Sequence, residues 1–403
     1  MATATIAMRM STVPSQPDGA DVVIVGGGIM GTSIAFFTAT ELDLDVVLVE
    51  ADNIGSGSTG DSSAVLRHHY GDDEIYTKMA WWSHQFYRQF SEKTGEQIAH
   101  ADSPLVRFAS DDDSYVMDGY ETLESLDIPV SLYDRDEVQE RYPMFSFDEF
   151  DHAVSDDSAG YSDGADVAGG FARAAQEQGV TILTNTPVTD LTTTNGRVDG
   201  VETELGTISS ENVVLAAGPW TPRLAESIGI EIPITTEREQ VIILEPSEDY
   251  KNAYPELTPT TALPGGSWYM RPDFSDGILV ATHHSGEQVD PDNYKNKPDE
   301  DVLLELTDKI FDVIPELSDA GIRGQYCGVY STTPDHDFII DETKNCYLAC
   351  GFSGHGFKHG PAIGKIVADL IGHGETDFID IDHFSLDRFS EDADGNFLSD
   401  EAI

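Results

Sequence analysis

The chain has 403 residues, 39% apolar and 24% charged, which is enough for two or three packed domains of ordinary globular composition. Asp and Glu number 74 against 22 Lys and Arg, a formal net charge of −52. So few cations exclude a protein that grips nucleic acid by neutralising phosphates, and no run reaches the roughly 18 apolar residues of a membrane-spanning helix.

Residues 1–19 carry no apolar stretch of signal-peptide length and are expected to form a tail. Residues 22–25 (VVIV) then read as a buried parallel strand. Gly26, Gly28 and Gly31 follow in G-x-G-x-x-G spacing, an apolar helical segment carries Ile34, Ala35 and Phe37, and a second apolar strand at 46–49 ends on Glu50. Each part has a physical role. Gly26 allows the tight turn, Gly28 lets backbone approach a pyrophosphate, and Gly31 lets helix and strand pack closely. Ile29 and Met30 open the helix, whose N-terminal N–H groups face the phosphates. Glu50 is placed to accept hydrogen bonds from a ribose hydroxyl. The small residues of GSGSTG (55–60), Ser58 and Thr59 among them, let a loop lie against the same nucleotide.

Further along, Ile75, Met79, Trp82, Phe86 and Phe90 recur at steps of three and four and predict one buried helix face over 74–93. Residues 105–150 mix short apolar runs with acidic loops. A helix is expected at 166–178 and a strand at 180–183. Asn195-Gly196 is a hairpin signal between alternating strands, the first of which includes Val188. ENVVLAAGPW is a buried strand ending on Ala217 and Gly218. Strands follow at 234–245 and 277–283, then a helix at 301–314 with Leu303, Leu306, Ile310 and Ile314 on one face. A last strand at 347–350 leads into GFSGHGFKHGP (351–361) and a helix that begins near Pro361 and ends near residue 371. The glycines there, Gly354 and Gly356 with Phe357 beside them, let a helix N-terminus approach a planar ring. Three cysteines, Cys327, Cys346 and Cys350, make no disulfide framework. Cys346 and Cys350 lack a second ligand pair and belong to buried packing, so no metal site is expected. The architecture is therefore α/β: a discontinuous, doubly wound nucleotide-binding domain (20–75, 156–225 and 321–385) and a sheet-rich, α+β substrate domain (76–155 and 226–320), with a second tail at 386–403.

Four stretches carry a family resemblance: VVIVGGGIMG…VVLVE, GSGSTGDSSAVLRHHYGDD, NVVLAAGPW and CGVYSTTPDHDFIID…CGFSGHGFKHGPAIGKIVADLI. In them the chain resembles the D-amino-acid oxidase superfamily of FAD enzymes, nearest to its sarcosine oxidase and dimethylglycine dehydrogenase branch. The resemblance implies FAD in the nucleotide domain, with Ala217, Gly218 and Val188 at the cofactor. It implies oxidation of a small amine or amino acid, N-methylglycine-like, by hydride transfer to flavin N5 followed by imine hydrolysis. Arg67 and Lys358 match the cations that hold a substrate carboxylate, and Lys358 also faces the cofactor. Tyr330 and His283 match residues at the substrate and the flavin face, and His355 matches a histidine of the flavin-binding loop.

Three departures matter. Sarcosine oxidases attach FAD through a cysteine six residues before the TPD proline; that position is Gly328 here, with Cys327 its neighbour, so FAD is expected to be held without a covalent bond. The lysine that activates oxygen falls four residues before His283, at Leu279, which favours a dehydrogenase over an oxidase and leaves the electron acceptor open. Ala64 replaces an arginine of the oxidase pattern, three residues before Arg67. Two other functions stay open: a non-catalytic subunit that holds FAD or passes electrons within a complex, and a nicotinamide-dependent dehydrogenase. The partner expected is a small carboxylate-bearing amine. The spread of acids along the whole chain points to a soluble protein of a high-salt cytoplasm, where the Debye length shrinks to ~3 Å at 1 M.

Overall fold

The computed structural model describes residues 16–110, 113–146, 150–254, 259–262 and 268–389. Most of both expected tails lies outside these residues. The described ends of those tails are packed. Ala20 N donates to Ser209 O at 2.9 Å, and Gly19 bridges the same residue. At the other end Phe389 is buried and Arg388 Nε donates to Asp335 at 2.7 Å. No helix among the described residues is long and apolar enough to cross a membrane.

Five short apolar runs pair as a parallel sheet. Val22–Val25 lies between Val46–Val49 and Asn212–Leu215; Thr181–Leu183 flanks one side, and Cys346–Cys350 with the antiparallel edge strand Ile339–Thr343 flanks the other. Alternate residues point to opposite faces of a strand. One set, Val22, Ile24, Val46, Leu48 and Val214, packs under the helices Ile29–Glu41, Gly164–Glu177 and Gly360–His373. The other set, Val23, Val25, Val47, Val49 and Leu215, packs against Leu191, Val198, Val201 and Ile208 of a three-stranded meander. The second face of this α/β unit is therefore closed by strands instead of by a further helix layer. The meander turns at Asn195-Gly196, both at positive φ, as the sequence signal requires.

The second sheet has eight strands, in the order Gly321–Thr332, Thr235–Glu245, Ile278–Thr282, Trp268–Pro272, Thr260–Ala262, Leu105–Ala109, His152–Asp156 and Val130–Asp134. Its strand Gly321–Thr332 pairs with Thr235–Glu245 along most of its length. Residues 321–332 thus stand in the second sheet, although the sequence division gave them to the nucleotide segment. The long 74–93 helix is two helices, Glu74–Arg88 and Phe90–Thr94, broken at Gln89. Its apolar face is nonetheless continuous: Met79, Phe86 and Phe90 are all buried.

Candidate active site

The two sheets enclose a cavity of about 690 Å³. Its floor is built where the parallel strands end. After Val22–Val25 the chain turns through Gly26 at φ +111, where an added Cβ would lie 2.4 Å from Ala216 O. Gly28 caps the helix Ile29–Glu41, whose first N–H is met by Thr59 Oγ1 at 3.0 Å. Gly31 does not line the cavity; its Cβ would strike Gly26 O at 1.9 Å, so its absence of a side chain serves helix–strand contact alone. Glu50 ends the next strand and lines the cavity, its carboxylate accepting from Gly27 N at 2.6 Å and Asp52 N at 2.7 Å. Ile29, Met30, Ser58, Thr59, Val188, Ala217 and Gly218 line the same space.

Gly354, Gly356 and Phe357 from the glycine-rich loop and Tyr330, Tyr269 and Glu239 from the second sheet complete the lining, with Gly356 set against Met30. Pro361 sits in the first turn of Gly360–His373, as the sequence predicts, but a 3-10 turn, Phe357–His359, precedes that helix. The helix N–H of Ala362 is taken by Ser83 Oγ at 3.1 Å, so it is the 3-10 turn that meets the cavity. His355 stands back from it. Its Nδ1 lies 3.3 Å from Tyr70 Oη and its Nε2 3.1 Å from His336 O, within a cluster of Tyr76 and Phe338 rings.

Behind Tyr330 the four residues singled out for chemistry come together. His283 Nδ1 lies 3.3 Å from Tyr330 Oη. Burial holds His283 well below the ordinary imidazole range, and His284, Arg67, Lys358 and Arg107 lower it further. The Lys358 side chain is buried and donates to His355 O at 3.0 Å. Burial first, then Arg67 and Arg107, hold its ammonium well below the usual lysine value. Arg67 donates to His69 O and stacks 4.0 Å over the Tyr70 ring. Among the described residues none of these three cations forms an ion pair with a carboxylate, and Arg107 Nε has no hydrogen-bond partner. None of the three lines the cavity, but they stand close enough together for Arg67 and Arg107 to repel the Lys358 ammonium, so an anion placed among them would relieve that repulsion.

Arg107 is absent from the sequence assignment. It lies in the strand Leu105–Ala109, inside a region with no clear periodicity. A single Arg inside the apolar run LVRFA is the only sign it offered. Two cavity carboxyls were missed as well. Burial raises Asp61 to about 6. Glu239 is raised chiefly by burial, although it accepts from Thr282 Oγ1 at 2.5 Å and Ser285 N at 2.9 Å.

The three departures have clear geometry. Cys327 is buried with Sγ 3.5 Å from Arg238 Nη2 and does not line the cavity. Gly328 does, and a Cβ there would lie 2.9 Å from Asp61 Cβ. Leu279 is buried and pairs across the ladder with Arg271, whose guanidinium is already committed to Ser63 O at 2.6 Å, to Pro272 O at 2.6 Å and, at 3.6 Å, to Asp273. Ala64 is buried at φ +50. Cys346 and Cys350 are buried and unbridged, in line with a packing role.

The family model described as FAD dependent oxidoreductase matches residues 21–370. Monomeric sarcosine oxidase of Bacillus sp. (strain B-0618) is 27% identical over 379 residues, 91% of this chain and 96% of that protein. N-methyl-L-tryptophan oxidase of Yersinia pestis is 27% identical over 377 residues, covering 92% and 99%. The solved L-proline dehydrogenase from P. horikoshii superposes with a TM-score of 0.84 at 27% identity, over 93% of this chain and 98% of that one.

Proposed function

The chain belongs to the FAD dependent oxidoreductase family, and from that premise we propose that it is a dehydrogenase of small secondary α-amino acids, sarcosine-like, with FAD held in the cavity without a covalent bond. The cavity suits FAD. A glycine turn that no Cβ could enter meets a helix N-terminus, Glu50 stands beside them, and Tyr330 and Gly356 complete the lining. The buried Cys327 is turned to Arg238, which supports a cofactor held by contacts alone. Bound there, FAD supplies a two-electron acceptor for hydride from the C–H beside an amine nitrogen.

The protein's own residues do the positioning. Arg67, Arg107 and Lys358 clamp the substrate carboxylate, and Tyr330 with His283 fixes its approach. Because burial and the cations hold His283 neutral, it accepts a hydrogen bond without repelling an amine. We assign the six-stranded unit to FAD and the eight-stranded sheet, now including residues 321–332, to the substrate. The names of the relatives, sarcosine, N-methyl-L-tryptophan and L-proline, are all secondary amino acids, which supports the substrate class. The committed Arg271 and the apolar Leu279 support an acceptor other than oxygen, since no free cation stands at that position to stabilise superoxide.

The observation that carries the proposal is the trio of unpaired cations behind Tyr330. A panel of sarcosine, L-proline, N-methyl amino acids and the matching amines without a carboxylate, assayed in high salt with an artificial acceptor and with oxygen, tests it. Reduction of the flavin by carboxylate-bearing secondary amines, with turnover faster by the artificial acceptor, is expected. Equal rates for amines lacking the carboxylate would remove the clamp, and faster turnover with oxygen would make the enzyme an oxidase.

A further inference from the structure

Next to Arg67, on the side away from the cavity, a chain of buried groups leads to the surface. Asp156 accepts the backbone N–H of His68 at 2.7 Å, and its other oxygen lies 3.0 Å from His68 Nδ1. His68 Nε2 lies 2.9 Å from His84 Nδ1. Burial alone would raise Asp156, but its interactions with His68, two hydrogen bonds among them, outweigh it and hold the carboxylate below its usual range. An ionised carboxylate only accepts, so His68 Nδ1 carries a proton. With a lone pair on His68 Nε2, His84 Nδ1 is the donor of the pair and His84 Nε2 is left with an unshared pair. That nitrogen has no hydrogen-bond partner, and His84 is 1% exposed.

A buried polar atom left alone is destabilising. What stands before this one is His100 and Asp102: one donor atom from each of His84, His100 and Asp102 falls within 4.8 Å of the others. His100 Nδ1 is likewise unpartnered, and its Nε2 lies 3.4 Å from Asp102 Oδ1. Each imidazole thus keeps one ring nitrogen that no protein group occupies. Among the described residues the cation against the group is Arg88, whose Nη2 donates to Asp102 at 2.9 Å. Its side chain is only partly buried and Asp102 is mostly exposed, so the pair can open to admit a second cation.

We propose that His84, His100 and Asp102 bind a divalent transition ion of the zinc type, with Asp156 and His68 as the buried support that fixes His84. Two imidazoles and a carboxylate suit borderline ions, and the exposed side leaves room for water. A carboxylate–histidine chain behind a ligating histidine is the usual means of setting its tautomer. Here that chain ends on His68, the residue after Arg67, so occupancy also stiffens the segment that carries the carboxylate clamp. No sequence spacing announces the site, because His84 comes from the helix Glu74–Arg88 and the other two from the strand His100–Asp102.

Full-length, FAD-loaded protein without an affinity tag, stripped with chelator and dialysed against micromolar Zn²⁺ in strong KCl with millimolar Mg²⁺, tests this. The excess Mg²⁺ occupies scattered surface carboxylates. One tightly held Zn²⁺ per chain is expected, with affinity lowered at least about 10-fold in His100→Ala and in Asp102→Asn and unchanged in Glu92→Gln. Both test positions are at or near the surface, and flavin absorbance with the melting temperature in chelator verifies that each variant is folded. Binding of less than half an equivalent, or an affinity in both site variants equal to that of the parent, would overturn the site.

Discussion

Lys358 is the residue on which the proposed chemistry turns. Its ammonium is buried beside two arginines and lies well below its ordinary value in the free protein. A bound carboxylate cancels part of that repulsion and raises it again, so binding must take up protons at pH values between the two. Calorimetric titration of a non-reacting carboxylate in buffers of different ionisation heat should therefore give a buffer-dependent enthalpy. In Lys358→Met that dependence disappears and kcat/KM falls roughly 10- to 100-fold, the worth of one charged hydrogen bond. An unchanged KM in this variant would show that the lysine does not touch the carboxylate. Asp61 makes an opposite demand. Its carboxyl is held at about 6 by burial, above the ordinary 3.8. Its contribution to stability is complete below pH 3.8 and is lost as pH rises through about 6. Because the side chain is only partly buried, the loss is discounted to about 1 kcal/mol. FAD-free Asp61→Asn should unfold later than the parent at pH 8, and the difference should vanish near pH 4 in thermal melts. A gap that persists at pH 4 would assign the effect to something other than this proton.

At the level of elements, the close contact between the helices Ile29–Glu41 and Gly360–His373 depends on Gly364. An added Cβ there would lie 2.7 Å from the Phe37 ring and 2.9 Å from Ser33 backbone. Gly364→Leu should destabilise the FAD unit by about 1–3 kcal/mol through overpacking, read as an earlier melt with weaker FAD retention. A melt within error of the parent would mean that these helices can part without cost. This pairing also explains what the sequence made legible. Continuous apolar runs such as VVIV and NVVL announce strands buried on both faces, and glycine spacing announces the turn between strand and helix. Arg67, Tyr330 and Lys358 were singled out by resemblance alone, in stretches that lie near such glycines. Residues 105–156 gave no such signal. Their strands, Leu105–Ala109, Val130–Asp134 and His152–Asp156, are short and are completed only by partners distant in sequence. Arg107 was lost with them. Gly31 packs helix on strand, as its motif position implies, while His355, Lys358, Arg67 and His283 all stand outside the cavity lining, because a motif counts positions and does not fix where a side chain ends.

Across the whole molecule the question is how a chain of net charge −52 stays compact. Ion pairing cannot answer it, since 74 acids face 22 bases. Several of the bases are committed inside the protein: Arg238 to Glu287 and Asp299, Arg388 to Asp335, and Lys358 to no acid at all. The remaining acids repel one another across the surface, and what removes that repulsion is dissolved salt. Between 0.1 M and 1 M the Debye length falls from about 10 Å to about 3 Å, below the usual spacing of surface charges. We infer that the native state is made for such a medium, and that the melting temperature rises steeply over this range of KCl. Salting-out of apolar surface would produce a similar rise, but it does not depend on how many acids the surface carries. The two causes separate in a variant with Glu92, Glu121, Glu226 and Glu231, all exposed, changed to Gln. If repulsion is the cause, this variant melts higher than the parent at 0.1 M KCl and the two curves converge in strong salt. Parallel curves, offset equally at every concentration, would assign the salt requirement to the core and not to the charge.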